Sequence, residues 1–205
     1  MDSSRLSGLM TGFITIAATI MVLELKVPVD STLASLAQEW PTFLSHVNSF
    51  FTILLLWFNH VTLLKKYAYV SIQIVILDLI WILFVLVIPL ATGWVASYPN
   101  GFYPELIYVA LLLLCYLLFH GIDVQLLIEG LITKEDFLKT VKVRLPIYIG
   151  LVIALITVFF SPILCIALVL LTVLYNFVFL YRTLHRIRTS VSSPDGSIQE
   201  AGNHQ

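Results

Sequence analysis

Six long apolar stretches constrain the fold of this 205-residue chain more than any other feature. Each approaches the roughly 20 residues that a helix needs to cross the ~30 Å hydrocarbon core of a bilayer. The chain is 60% hydrophobic and 11% charged, which is more apolar surface than a soluble domain of this size can bury. The stretches lie approximately at residues 6–25, 43–64, 68–92, 102–121, 143–160 and 163–182.

These stretches are continuously apolar rather than alternating, so they fit helices better than the strands of a β-barrel. We therefore predict an all-α membrane protein with six transmembrane helices in a single domain over residues 1–188. Residues 189–205 are rich in Ser, Gly, Asn and Gln, and we expect them to form a disordered cytoplasmic tail.

The distribution of basic residues predicts the orientation. Of the 11 Lys and Arg residues, only Lys26 falls on the side opposite the termini. By the positive-inside rule both termini should be cytoplasmic. The basic residues are dispersed along the membrane flanks, which argues against nucleic-acid binding. Short loops between the spans favour a prokaryotic plasma membrane.

Several local signals refine the boundaries. Asp30–Thr32 can cap a short helix that continues through Glu39, and Thr133–Asp136 resembles a capping box at the start of another helix. We expect the third span to end at Pro89 and an external loop to cover Gly93–Gly101, with turn residues at its end.

The first span has two distinct faces. An i, i+3, i+4 pattern predicts an apolar stripe, which Thr19 borders and Glu24 follows one turn beyond. The opposite face is small and hydroxylated, and Gly8 and Gly12 would let another helix approach closely. Periodicity alone leaves open that both faces only pack against neighbours. The stripe consists of Phe13, Ile16, Ile20 and Leu23, and the opposite face of Gly8, Thr11, Thr15 and Ala18.

A few polar residues interrupt the second and third spans. Trp57 and His60 lie three apart on one helix face, and Thr11, at a similar depth, is the natural partner of His60. Asp78 must pair with a residue such as His60 or Gln73, face water or stay protonated, because an ionised carboxylate in lipid costs a few kcal/mol. A helix brace and a cation-attracting site are both open for Asp78.

The sequence contains no Gly-rich phosphate loop, no His-Glu-x-x-His motif and no nucleophile setting, so we predict that the chain is not an enzyme. Cys115 and Cys165 lie within spans without ligand spacing and fit packing roles. We expect neither a cofactor nor a metal site.

Two strings carry a resemblance to a known family. The string from Gly12 to Pro28, with Arg5 ahead of it, resembles the first span of prokaryotic and endolysosomal potassium channels of the transmembrane protein 175 type. Residues 49–60 resemble the second helix of that family, and Ile88-Pro89 the end of its third.

The resemblance implies a homotetrameric channel that conducts potassium ions across the lipid bilayer, with the first helix of each copy around a central axis. Carried over by alignment, Ile16, Ile20 and Leu23 would form apolar rings with the Thr19 hydroxyls nearby. A ring of Glu24 would then concentrate cations at the outer mouth.

The sequence departs from the family after Arg5, since Leu9-Met10-Thr11 replaces the family's Phe-Ser-Asp. In the family these groups bond to the histidine and tryptophan of the second helix. Here the resemblance implies a helix-bracing network of Arg5, Thr11, Trp57, His60 and Asp78. Two alternatives to a channel stay open, a non-conducting scaffold or regulator, and a proton-coupled small-solute transporter that uses Asp78 and His60.

Overall fold

A computed structural model of the chain describes residues 1–25 and 27–192, and within the last helix the side chains of residues 181 and 183–192 are not described. The described residues form eight helices. Their bounds are α1 Ser3–Leu23, α2 Leu33–Gln38, α3 Trp40–Leu64, α4 Ile72–Val85, α5 Ile88–Ser97, α6 Phe102–Ile128, α7 Lys134–Thr157 and α8 Pro162–Ser192.

The described helices provide six segments that are long and apolar enough to cross a membrane, which confirms the predicted all-α plan. The third segment, Ile72–Ser97, consists of α4 and α5 together. Residues 193–205, most of the predicted disordered tail, lie outside the described residues, as does Lys26. The tail and the domain boundary at residue 188 therefore stay predictions.

The third span differs from its prediction in one respect. The helix does not end at Pro89. It is interrupted at Leu86 and Val87, and Pro89 then lies in the first turn of α5. Proline is tolerated there, since the first-turn N–H groups have no partner within the helix. The predicted loop is consequently shorter, and its turn closes where the Gly101 N–H donates to the Tyr98 carbonyl at 2.8 Å.

Both predicted caps are present. Thr32 Oγ1 accepts the Ser35 N–H at 3.2 Å at the start of α2, and Asp30 in turn accepts from the Thr32 amide at 2.9 Å. At the start of α7, Thr133 Oγ1 accepts the Asp136 N–H at 3.1 Å. These side chains occupy amide donors that the first helical turn leaves unpaired.

One contiguous apolar core joins the helices. α4 packs against α6, α3 against α5, and α7 against both α6 and α8. α1 packs on α3, α4 and α5 and lies at the edge of the bundle. Buried residues at helical spacing attach it there, namely Leu6, Met10, Ile14, Ala17 and Met21.

Candidate pore helix and its polar brace

The apolar stripe of α1 points away from the rest of the subunit. Ile16 is 54% exposed, Ile20 42% and Leu23 78%. Thr19 is exposed beside them, and Phe13 is half-buried at the edge of the stripe. The predicted pore-lining face is thus largely exposed in the subunit, apart from Phe13, which packs against the core.

The glycines of α1 also lack a contact within the subunit. A Cβ atom built on Gly8 or on Gly12 would meet nothing within 4 Å. The close helix approach that we predicted for them therefore does not occur inside the subunit. Both positions are exposed and leave a small-residue surface open to a neighbour.

The hydroxyls of α1 are oriented by the helix itself. Thr11, Thr15 and Thr19 each donate to the carbonyl four residues earlier, at 2.8 Å. Since the O–H is used in that bond, the oxygen of Thr19 presents lone pairs outward. An oxygen that accepts but does not donate is suited to a cation.

Glu24 is not brought to the stripe. A Cβ atom built on Gly93 of α5 would lie 3.1 Å from Glu24 Oε2, so the carboxylate rests against the glycine backbone of its own subunit. Glu24 Oε2 is buried without a hydrogen-bond partner among the described residues. The predicted ring of Glu24 at an outer mouth does not follow from this placement.

Thr11 connects α1 to α3 through a partner different from the predicted one. The Trp57 indole Nε1–H donates to Thr11 Oγ1 at 3.1 Å. The prediction that Thr11 would serve His60 is therefore wrong. The long indole reaches from α3 to α1, whereas His60 is buried on another side of α3.

His60 and Asp78 form a buried pair between α3 and α4. The Nε2 atom of His60 lies 2.8 Å from Asp78 Oδ1 and 3.0 Å from Oδ2, and each side chain is 1% exposed. The His60 ring stacks on Trp81 with centroids 5.0 Å apart and planes at 8°. Gln73, the other partner considered for Asp78, is exposed. Asp78 thus lies between helices and does not face lipid.

Arg5 is not part of this network. It is exposed, and no hydrogen bond or ion pair of its side chain reaches Trp57 or His60 within the described part of the chain. The N-terminal end of α1 is instead attached by Ser3, whose hydroxyl donates to the Tyr67 carbonyl and whose amide donates to the Ala68 carbonyl at 3.1 Å.

Sequence reasoning missed two further polar contacts in the core. Arg144 of α7 donates to Asp123 of α6, and its guanidinium lies 4.5 Å from the Phe119 ring centroid. Thr92 donates to Ser49 at 2.7 Å, and Ser49 lies 2.8 Å from the Tyr108 hydroxyl. A charge at each of positions 123 and 144 was the available signal, but Asp123 falls outside the predicted span 102–121 and Arg144 only just inside the span 143–160, so the pair was not expected.

Among the side chains that the structure describes, no group of three His, Cys, Asp or Glu residues is arranged to hold a metal ion. The geometry contains a helical bundle with an outward-facing apolar helix stripe and a polar brace behind it. That combination defines a class, the polytopic α-helical membrane protein.

Comparisons with known proteins place the chain within this class. Residues 5–89 match the family model described as endosomal/lysosomal potassium channel TMEM175. A potassium channel of Chryseobacterium sp. (strain P1-3), HX13_20290, is 36% identical over 97 residues, 47% of this chain and 50% of that protein. Potassium channel B446_29190 of Streptomyces collinus is 29% identical over 101 residues, 47% of this chain and 49% of that protein. The chain thus spans about half the length of these relatives.

The fold agrees over a longer stretch. The crystal structure of a lysosomal potassium-selective channel TMEM175 homolog from Chamaesiphon minutus superposes with a TM-score of 0.77 at 20% identity, covering 86% of this chain and 96% of that one. The resemblance to the TMEM175 family is thus confirmed, by sequence over residues 5–89 and by fold over most of the chain. The matched family is one of ion channels and not a class of enzymes.

Proposed function

We propose that the chain is a potassium channel that assembles as a homotetramer, with α1 of each copy around a central axis. The observation that carries the proposal is the stripe of Ile16, Ile20 and Leu23, which is exposed on the surface of its own subunit. Two similar proteins that are named as potassium channels support potassium as the ion.

Four copies of the stripe would make stacked apolar rings along the axis. A hydrophobic constriction gates by dewetting, and an ion crosses it only by shedding or distorting its hydration shell. Potassium holds its water less tightly than sodium does, which gives a route to selectivity without backbone carbonyls. Thr19, whose oxygen presents lone pairs beside the stripe, would replace part of the lost hydration.

The polar contacts behind α1 would fix its rotation. Trp57 holds Thr11, and the His60–Asp78 pair ties α3 to α4. Because His60 and Asp78 are each 1% exposed, they favour a brace over a proton-coupled substrate path. Any rotation of α1 would move its apolar side chains relative to the axis, so a fixed orientation is needed for a defined constriction.

The membrane placement is also part of the proposal. The basic residues, apart from Lys26, flank the ends of the spans on the side of the termini. This asymmetry supports cytoplasmic termini. The bacterial origin of the matched relatives supports a prokaryotic plasma membrane.

Flux into liposomes tests the proposed function. The purified chain should raise potassium flux above that of empty vesicles, under conditions in which a positive control conducts, and native mass spectrometry should count four chains. Ile16→Asn should wet the constriction and shift the reversal potential under a potassium/sodium gradient toward the unselective value. Ile149→Asn is the matched control, since Ile149 is a 50% exposed isoleucine on α7.

Two results would contradict the proposal. Absence of potassium flux from a correctly assembled preparation would exclude a channel and favour a scaffold. A reversal potential that Ile16→Asn leaves unchanged would remove Ile16 from the constriction.

A further inference from the structure

A cavity of about 290 Å³ lies between α3, α6, α7 and α8, away from the exposed stripe of α1. The described lining residues include no Asp or Glu, and the polar ones are Asn59, Tyr116, Lys139, Thr140, Arg144 and Asn176. The acids that pair with the two cations, Asp123 with Arg144 and Glu135 and Asp136 with Lys139, lie outside the lining. The wall itself thus presents hydrogen-bond donors of two cations and two amides, which favours an anion as occupant.

Arg144 is held in place for such a role. The residue is 8% exposed, its Nη1 donates to Asp123 behind the wall, and its guanidinium lies over Phe119. A guanidinium carries five N–H donors in a fixed fork, so the Asp123 bond leaves donors over. A charged side chain that is buried and anchored on two sides is a preorganised anion binder.

Two further polar groups of the wall are available. Lys139 is 65% exposed and contacts Glu135 at 3.0 Å on the surface, a type of pair that contributes little and is easily exchanged. Asn59 is half-buried and makes no hydrogen bond with any described residue. Both can therefore turn to a ligand without breaking a buried contact.

The rest of the wall is apolar. Leu55, Ile147 and Phe179 line the cavity, and Val143 lies at its edge with 48% of its surface exposed. The cavity is located toward the N-terminal end of α7, where Lys139 lies, the end that the basic residues assign to the cytoplasm. Free phosphate would contact only the polar residues of the lining, whereas a phospholipid would contact the polar and the apolar residues.

We propose that this cavity binds an anionic phospholipid of the cytoplasmic leaflet, with the phosphate at Arg144, Lys139 and Asn59 and the glycerol and upper acyl carbons against the apolar wall. Basic pockets between transmembrane helices on the cytoplasmic side are suited to such headgroups. The site does not depend on the proposed potassium conduction, since no residue of the α1 stripe takes part.

Native mass spectrometry of the full chain in detergent tests the site. The probes are dioctanoyl phosphatidylglycerol, dioctanoyl phosphatidylcholine and inorganic phosphate. The wild-type chain should retain phosphatidylglycerol in preference to phosphatidylcholine. Lys139→Gln should weaken phosphatidylglycerol retention about fivefold, the effect of one basic residue near an anionic surface.

Lys142→Gln is the matched control, because Lys142 is an exposed lysine of the same helix that does not line the cavity. Val143→Trp, which fills the cavity without changing charge, should abolish retention. Equal retention of the two lipids, or equal loss in Lys139→Gln and Lys142→Gln, would overturn the proposal. Competition by millimolar phosphate with no lipid preference would reduce the cavity to a simple anion site and overturn the assignment to a lipid.

Discussion

The buried pair of His60 and Asp78 permits a quantitative test of the brace. Removing one partner leaves a polar or charged group buried and unpaired, which costs about 3–5 kcal/mol. Both side chains are 1% exposed, so solvent cannot replace the lost partner. We therefore expect Asp78→Leu and His60→Phe each to lower the free energy of unfolding by about that amount.

The double variant should behave differently. Replacing both partners with apolar groups of similar size leaves no unpaired polar atom and is often nearly neutral. The new phenyl ring can retain the stack on Trp81, which lies parallel to the His60 ring. We expect the double variant to fall within about 1 kcal/mol of the wild-type chain, so the coupling energy from the cycle should be at least about 5 kcal/mol.

Reversible unfolding in mixed micelles, followed by circular dichroism while the denaturing detergent fraction rises, provides the four free energies. Gln73→Leu serves as a control, because Gln73 is an exposed polar residue in the same span and should have little effect. If the two single losses simply add, with a coupling energy below about 0.5 kcal/mol, the pair does not brace the helices and the reasoning fails.

Two other predictions concern local packing and pH. A Cβ atom on Gly150 would overlap the Thr172 side chain between α7 and α8, so Gly150→Ala should lower the free energy of unfolding by about 1–3 kcal/mol. Gly121→Ala should not, because a Cβ atom at Gly121 would meet nothing within 4 Å. The same micelle titration compares the two variants. The Thr32 hydroxyl donates to Asp30 and lowers the pKa of that carboxyl below 3.8. The stabilisation of α2 by this contact should therefore persist above pH 3.8 and be lost as the pH falls through the lowered pKa. Amide exchange of α2, corrected for intrinsic rates, should rise in that acid range, and a flat profile would contradict the prediction.

The sequence was sufficient to predict the helical architecture, because hydrocarbon permits so few backbone arrangements that hydropathy determines the spans. It was less informative about helix ends. α6 continues to Ile128, beyond its predicted apolar run, whereas the start of α7 at Lys134 agrees with the cap predicted at Thr133. As a result Asp123, which the prediction left outside the spans, forms an ion pair with Arg144 inside the bundle. A window of mean hydropathy cannot detect two charges that neutralise each other across helices.

The sequence predicted which residues belong to the candidate site, but it did not predict which of them contact each other. The apolar stripe of α1 followed from helical periodicity, and its exposure agrees with the predicted role. The partners of Thr11, His60 and Glu24 depend on the relative rotation and depth of neighbouring helices, which one sequence does not encode in any simple pattern. Thr11 therefore accepts a hydrogen bond from Trp57 rather than from His60, and the Glu24 carboxylate lies against the Gly93 backbone rather than at the stripe.

The attachment of α1 on a single flank has a mechanical consequence. Its contacts are with α3, α4 and α5, and its other side is open. A helix held on one side can tilt or turn by disturbing that seam alone, while the paired helices α7 and α8 keep their arrangement. A displacement of α1 would thus leave the packing of α7 on α8 in place. α3 contacts both α1 and α8 and is the helix through which such a displacement would reach α8.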